Sequence, residues 1–413
     1  MSNTNCCANL LSQSECCEIL KKAAGDVDLL KYVIRPVSNN VVGFLGEYYK
    51  LLVTYRKENN EICEKSFFVK SLPLSNELQR KEINSLGFMK KESVLYSSLF
   101  VEMEPYSSFN WHPVIYLRRD DVLVLEDLAQ SNYTHECFNY NSPPKYIRAV
   151  LDCMAAMHAN SIVYEVKTGT NIGSDYANCV YESSVRRENS WIIAGLQAIQ
   201  HVAKHHPNLQ SEEHQNFIDM KLIPRLECIF DLQPSFQKYR RTFCHRDLWE
   251  KNIFYTKAPE DLRCLLIDFQ IACYCPPGVD VLFFLYLNTN RSNRKENLQD
   301  YLDYYYNCLE KFTAEFQVNV QDHVTREEFD ASCKEYKSLV LTLTGIYTPV
   351  VFLPEGYLGT MKMEDPKRYH RLMHVNRNDF VLECIEKFRD AGVIALDAIE
   401  ELVEYLFNEC ALN

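Results

Sequence analysis

The stretch "FCHRDLWEKNIFY", residues 243–255, together with "LLIDFQ", residues 265–270, decides how this chain is read. It places His245, Asp247 and Asn252 in one short loop and Asp268 at the end of an apolar run. The residue types suit phosphate chemistry. Magnesium prefers hard oxygen ligands and needs only one or two from the protein, because phosphates and waters complete its shell. Asp268 offers a carboxylate and Asn252 a neutral amide oxygen, so these are the candidate metal ligands. Asp247 is the candidate base, taking or orienting the proton of an attacking hydroxyl, with Asn252 beside it. His245 is better suited to bracing the loop by hydrogen bonds than to chemistry.

Phosphoryl transfer from ATP also needs a clamp on the phosphates, and its parts are sought upstream. Lys70 in "FFVKSLP" lies in a strand-like run, as a phosphate-pairing lysine should. Glu92 follows in the next helical segment, placed to ion-pair with it. "LVLEDL", residues 123–128, reads as the connection between two lobes. Adenine is read there by main-chain groups, so Glu126 and Leu128 are nucleotide contacts through the backbone, and the Glu126 and Asp127 side chains need not touch it. The phosphate loop is irregular. "VVGFLGEYYKLLV", residues 41–53, has only Gly43 and Gly46, not a G-x-G-x-x-G. Either it is a plain β-turn or the N–H groups near Gly46 face the phosphates. Singly, each residue has an ordinary explanation: an outward lysine, a solvated glutamate, a turn aspartate. Their order is specific: Lys, helix Glu, connection, H-x-D-x-x-x-x-N, then D-F after an apolar strand.

Around this frame the chain divides in two. Residues 1–30 read as a helical lead-in, with Ser12 and Ser14 as caps and Gly25 as its end. "YYKLLVTYR" and "ICEKSFFVKSLP" read as strands joined by the hairpin "KENNE". A helix is expected over about residues 76–100, with Phe88, Leu95 and Leu99 on one stripe. "PVIYLRR" and "VLVLEDL" then pair through a turn at Asp120-Asp121. After residue 133 helical periodicity dominates, and strand signals shrink to "NIFYT" and "CLLIDFQ". The expectation is an α+β, two-lobe, protein-kinase-like fold: a lead-in (1–30), a five-stranded antiparallel N-lobe for the nucleotide (31–130) and a helical C-lobe with the catalytic loop and acceptor pocket (131–413).

With 413 residues and a formal net charge of −12, the chain lacks the positive surface that nonspecific nucleic-acid or anionic-membrane binding needs. Its 17 cysteines follow no secretory leader pattern, so they are read as free thiols in a reducing cytoplasm. The doublets Cys6-Cys7 and Cys16-Cys17 and the pair Cys273 and Cys275 suit zinc poorly, because its ligands usually stand two to four residues apart. No apolar run approaches the ~20 residues of a membrane span. His158, on the apolar "MAAMHA" helix, is weighed as a core histidine rather than a metal ligand. Trp191 and "YLDYYYNCLEKF" are either core or acceptor-pocket wall. Nothing in the sequence sets the oligomeric state.

Two families share this motif order. A eukaryotic protein kinase would write H-R-D, but it also needs D-F-G, an activation segment and A-P-E. This chain runs "DFQIACYCPPGVDVLFFLYL" instead, with Gln270 in place of glycine and a helix beginning at once. It resembles the CHK kinase-like, ecdysteroid-kinase-like family, related to the aminoglycoside and choline phosphotransferases, from about residue 35 to 405. The resemblance is carried by "GFLGEYYKLLVTY", "FFVKSLP", "FMKKESVLYSSL", "LVLEDL", "MAAMHA", "FCHRDLWEKNIFY" and "LIDFQIACYCPPGVDVLFFL", with Trp249 and "DFQ" the most telling. It implies ATP and magnesium as cofactors and phosphorylation of a hydroxyl on a small molecule, ecdysteroid-like or foreign, with choline-like alcohols less favoured. Carried over by position, Asp247 is the base, Asn252 and Asp268 hold magnesium, Lys70 with Glu92 holds the phosphates, and Asp280 braces the catalytic loop. The departures are Arg246 where the family more often has glycine, Lys251 where it has asparagine, and a phosphate loop lacking the family's small hydroxyl residue. A catalytically retired binding protein on the same fold is the alternative.

Overall fold

A computed structural model describes residues 10–37, 46–73, 80–81, 84, 87–135, 139–258 and 260–412. Cys6, Cys7 and Gly43 fall outside it. The first described element is helix α1, Gln13–Ala24. Ser12 caps it in a reciprocal box with Glu15, satisfying two of the amide donors that a helix start leaves open. Gly25, at φ 80°, ends it. The ends stand at two of the expected residues, Ser12 and Gly25; Ser14, the other candidate cap, lies inside the first turn.

Five antiparallel strands follow: β1 (Asp28–Pro36), β2 (Glu47–Arg56), β3 (Ile62–Ser71), β4 (Ile115–Arg118) and β5 (Val122–Glu126), in spatial order β1-β2-β3-β5-β4. β1 is the strand that no quoted segment localised. Alternation along the strands splits the sheet into two faces. Leu51, Val53, Phe67, Val69, Val122 and Val124 point outward and are buried under Leu11 and under Cys16, Ile19 and Leu20 of α1. Each buried aliphatic or aromatic side chain of this kind contributes roughly 1.5–3 kcal/mol. The intervening residues Tyr48, Phe68 and Lys70 therefore face the other way, toward the second lobe. β2 and β3 are paired so that Tyr48 stands opposite Lys70.

The helix after β3 differs from its expected span. Gly87, at φ 70°, interrupts the chain, and α2 starts anew at Phe88. Most of residues 76–86 lies outside the described set. α2 (Phe88–Val94) passes into a π-helical turn, Leu95–Leu99, and continues to Met103. Its buried stripe includes Leu95 and Leu99, as the periodicity predicted.

The rest is mainly helical, built on α3 (Pro144–Thr168), α4 (Ser190–His205), α5 (Pro277–Asn288), α6 (Arg291–Ala314), α7 (Lys337–Val351) and α8 (Arg389–Leu412). Short strands interrupt it: β6 (Tyr133–Thr134), β7 (Thr242–Cys244), β8 (Ile253–Thr256), β9 (Cys264–Leu266) and β10 (Cys273–Cys275). β7 pairs with β10, and β8 with β6 and β9. The two pairings bracket residues 245–252 and 267–272, so both motif loops emerge from the same corner. α5 is buried along its whole length, which its uninterrupted apolar run requires. The fold is the two-lobe, protein-kinase-like α+β arrangement. The described cysteines are free thiols, and among the described residues no helix is long and apolar enough to cross a membrane.

Candidate active site

Lys70 leaves β3 on the face toward the second lobe, where its ammonium meets two carboxylates. Glu92 Oε2 lies 2.6 Å from Nζ and Asp268 Oδ1 lies 2.7 Å away. Glu92 is sealed in, with a side-chain exposure of 1%, whereas Asp268 keeps 19%. Burial works against the Lys70 charge, but Asp268 and then Glu92 overcome it and hold its pKa well above the ordinary lysine value. Burial raises the pKa of Glu92; the Lys70 charge opposes that rise and Asp268 adds to it. Glu92 also accepts the Phe269 N–H through Oε1 at 3.2 Å, tying α2 to the residue after Asp268.

Asn252 gives its amide N–H groups to the Asp247 carbonyl at 2.8 Å and to Asp247 Oδ2 at 3.1 Å. Both bonds use the nitrogen, so the amide oxygen is the atom left to act as a ligand. Burial raises the Asp247 pKa well above the usual carboxylate range, with the negative Asp268 adding to the effect. A carboxylate shifted in that direction is a better proton acceptor. His245 braces the loop as expected: Nε2 donates to the Ile267 carbonyl at 2.9 Å, and Nδ1 accepts the Asp247 N–H at 3.3 Å.

Asp280, in the first turn of α5, braces the loop from behind. It accepts the His245 N–H at 2.8 Å and the Arg246 N–H at 2.7 Å. His158 adds its Nε2 to Asp280 at 3.2 Å and its Nδ1 to the Tyr305 hydroxyl at 2.7 Å. This is a hydrogen-bonded core histidine. His158, Cys244 and Asp280 come close enough together to consider a metal, but Asp280 is already engaged by two backbone amides. Arg246 and Asp268 both sit at left-handed backbone angles, φ 71° and 69°. Each costs a side-chain-bearing residue about 1–2 kcal/mol, and the surrounding bonds hold both in place.

Gly46 stands at the head of β2. A Cβ there would lie 3.2 Å from the Ser71 carbonyl oxygen and 3.9 Å from Lys70 Cγ, so the lysine and this end of the loop are neighbours. Glu126 closes β5 opposite Phe67, and buried Leu128 follows it. Lys70 pairs with Leu123, so Glu126 and Leu128 lie farther along the chain, at the lobe connection. Both side chains at the connection are engaged: Glu126 accepts the Val114 N–H at 3.4 Å, and Asp127 accepts from Lys50 Nζ at 2.9 Å and from the Ser66 hydroxyl.

Tyr48 and Tyr347 are neighbours of the site that were not singled out from sequence. Tyr48 stands across from Lys70 and stacks on Phe68 with ring centroids 5.6 Å apart. Trp191 packs edge-on to Tyr347 at 4.8 Å, and Tyr347 to Phe283 of α5 at 5.2 Å. Tyr347 is the single aromatic of the mostly apolar α7, and nothing in that helix's sequence separates it from core.

The sequence signature described as the ecdysteroid kinase-like family matches residues 41–318, about two thirds of the chain. No curated protein sequence matches the chain. Among solved structures, Plasmodium vivax ethanolamine kinase is 10% identical, covering 87% of this chain and 84% of its own, with a TM-score of 0.36. A microcompartment-associated aminopropanol kinase is 11% identical, covering 92% and 99%, with a TM-score of 0.37. The GDP and kanamycin complex of APH(2″)-IIIa is 12% identical, covering 91% and 97%, with a TM-score of 0.39. The assignment rests on the sequence signature: the chain belongs to the ecdysteroid kinase-like family and so is a phosphotransferase of kinase-like fold.

Proposed function

We propose that this protein is an ATP-dependent kinase that moves the γ-phosphoryl group to a hydroxyl of a small steroid-like or foreign alcohol. The observation that carries the reading is the Lys70 ammonium held between Glu92 and Asp268, at 2.6 and 2.7 Å, on the face toward the catalytic loop. A lysine braced by a sealed carboxylate keeps its charge and its direction, which is what clamping phosphates requires. The more exposed Asp268 and the Asn252 amide oxygen are hard oxygen donors, and such a pair fits magnesium. When bound there, magnesium supplies neutralisation of the phosphate charge.

The rest follows from the chain's own groups. Lys70 orients the phosphates from the N-lobe, and main-chain groups at Glu126 and Leu128 receive the adenine. Asp247, aligned by Asn252 and by the Asp280-braced backbone, accepts or orients the acceptor hydroxyl proton while the oxygen attacks in line. Trp191 and Tyr347, packed edge-on, are the aromatic pair assigned in this reading to the acceptor side. The protein is placed in the cytoplasm on its cysteine content.

The test is thermal unfolding with and without magnesium and ATP, followed by a panel of ecdysteroid and xenobiotic alcohols scored for phosphate incorporation. A ligand specific to the folded state stabilises by RT ln(1 + [L]/Kd), about 2.7 kcal/mol at a hundredfold excess over Kd. A magnesium-dependent shift and a phosphorylated alcohol are expected. Absence of any shift at saturating nucleotide would overturn the kinase reading and favour the retired binding protein.

A further inference from the structure

The helix residue beside Glu92 is also engaged, in the opposite direction. Lys91 is buried at 2% exposure, and its ammonium donates to the Tyr181 carbonyl at 2.9 Å and to Ser183 Oγ at 3.2 Å. It also stands 4.7 Å from the centre of the Tyr181 ring. Between those two anchor residues lies Glu182. One of its oxygens accepts the Ser184 N–H at 2.8 Å, the Ser184 hydroxyl at 2.8 Å and the Val185 N–H at 3.1 Å. The other lies 3.4 Å from the Arg246 guanidinium. The loop is held from its far side by the Tyr274 N–H, which donates to the Val180 carbonyl at 2.9 Å.

Arg246 is the residue immediately before the candidate base. Its side chain is 1% exposed, and among the described residues Glu182 is the one carboxylate that ion-pairs with it. Its other polar neighbour is weak, the Cys275 sulfur at 3.8 Å. In protein kinases an arginine at this position gains its counter-charge when a flexible segment is phosphorylated. No such segment stands between Asp268 and α5 in this chain, which leaves a buried cation that must find its anion elsewhere.

Resting on the kinase reading, we propose that Glu182 is the built-in counter-charge of Arg246. The 181–184 loop is then a positioning bridge from α2 to the catalytic loop, and it makes the site competent without phosphorylation. One end of the bridge fixes the helix that carries Glu92. The other end fixes the guanidinium of Arg246, the residue that precedes the candidate base. Glycine fits φ 71° without strain and carries no charge, so a chain with glycine at 246 needs no such partner.

The experiment compares wild type, E182Q, R246G and the double variant in two readouts. The first is ADP release from magnesium-ATP with ecdysone as the acceptor probe. The second is hydrogen exchange of the peptides covering 88–94 and 243–249. E182Q should lower kcat on the order of 10-fold or more, the scale of misaligned catalytic groups, with KM for ATP moving less than about threefold. Both peptides should exchange faster together. R246G/E182Q should recover most of the lost turnover and protection, because it removes the orphaned cation. K91M, which cuts the other end, should act in the same direction as E182Q and stands in for it if E182Q does not fold. Protein shown by intact mass to carry no phosphate should be fully active, and phosphatase treatment should change nothing. A kcat for E182Q within twofold of wild type overturns the proposal, as does a double variant no better than E182Q or loss of activity on dephosphorylation. A wild type that neither releases ADP nor is stabilised by magnesium-ATP sinks the kinase reading instead, and the exchange data then decide the bridge alone.

Discussion

Replacing Glu92 by glutamine separates a structural ion pair from a working one. In the nucleotide-free protein Lys70 is flanked by two carboxylates at nearly equal distance. The cluster therefore carries one positive and two negative charges, and losing one negative charge leaves a matched Lys70–Asp268 pair. Burial already penalises ionised Glu92. Glutamine keeps the shape and an oxygen for the Phe269 N–H. Unfolding free energy without ligand should then change by about 1–2 kcal/mol, not the 3–5 kcal/mol that follows orphaning a buried charge. Nucleotide binding is different. If Asp268 takes up magnesium as proposed, it would leave Lys70, and Glu92 would then be the one carboxylate of this cluster holding the lysine in place. A charge-assisted hydrogen bond of about 1.5–3 kcal/mol is lost at that point, weakening magnesium-ATP binding roughly 10- to 100-fold. At a nucleotide concentration a hundredfold above the wild-type Kd, stabilisation should fall from about 2.7 kcal/mol to between about 1.4 and 0.4 kcal/mol. Denaturant titrations with and without magnesium-ATP measure both quantities. An E92Q protein stabilised as strongly as wild type would refute the reasoning, as would one that loses 4 kcal/mol or more without ligand.

Three further outcomes are expected. Asp247→Ala should cut turnover by about 10²–10⁴ and leave nucleotide affinity intact, because Asn252 keeps its 2.8 Å bond to the residue-247 carbonyl; near-normal turnover in a phosphate-transfer assay would contradict the base assignment. Asp268→Asn should remove most of the magnesium dependence of ATP binding, so equal calorimetric affinities with magnesium and with EDTA are predicted, and an undiminished magnesium effect would rule out its metal role. His112 donates Nδ1–H to the Pro113 carbonyl at 2.9 Å, and burial lowers its pKa from 6.5 to about 4. The unfolded chain binds a proton there that the folded chain refuses, so this contribution is complete above pH 6.5 and lost as pH falls toward 4, at most about 3 kcal/mol. His112→Phe should flatten stability over that window; a slope as steep as wild type would assign the acid sensitivity elsewhere.

The sequence revealed most where chemistry is local. Ser12 and Gly25 define α1 because capping is settled within one turn. The alternation in "YYKLLVTYR" and "ICEKSFFVKS" sets which side chains face the second lobe, since strand period leaves only two choices. The order of Lys70, Glu92, Asp247, Asn252 and Asp268 implied their meeting, and the structure brings Lys70, Glu92 and Asp268 together and Asp247 against Asn252. The helix break at Gly87 was obscured because apolar periodicity continues through it and a lone glycine is tolerated in a helix pattern. Three-residue strands such as β7 and β10 are too short to show a period, and their pairing is a tertiary fact.

Arg246 shows why the remaining contacts stayed hidden. Its identity was visible as a departure from the glycine common at that position, yet its environment depends on Glu182, on a loop contributed by a different part of the chain. An arginine there is tolerable only if three conditions hold together. Asp280 must take its amide and hold the left-handed backbone. A carboxylate must balance its buried charge. That carboxylate must itself be fixed, which the Ser184 and Val185 amides accomplish. The conditions are met by two separate segments, the start of α5 at Asp280 and the loop at residues 182–185, and neither has a spacing rule that ties it to Arg246. The phosphate loop poses the complementary case: Gly46 lies beside Lys70, while the Gly43 half falls outside the described residues. The clamp is therefore best judged from Lys70 and its two carboxylates, and those are the groups on which the E92Q measurement acts.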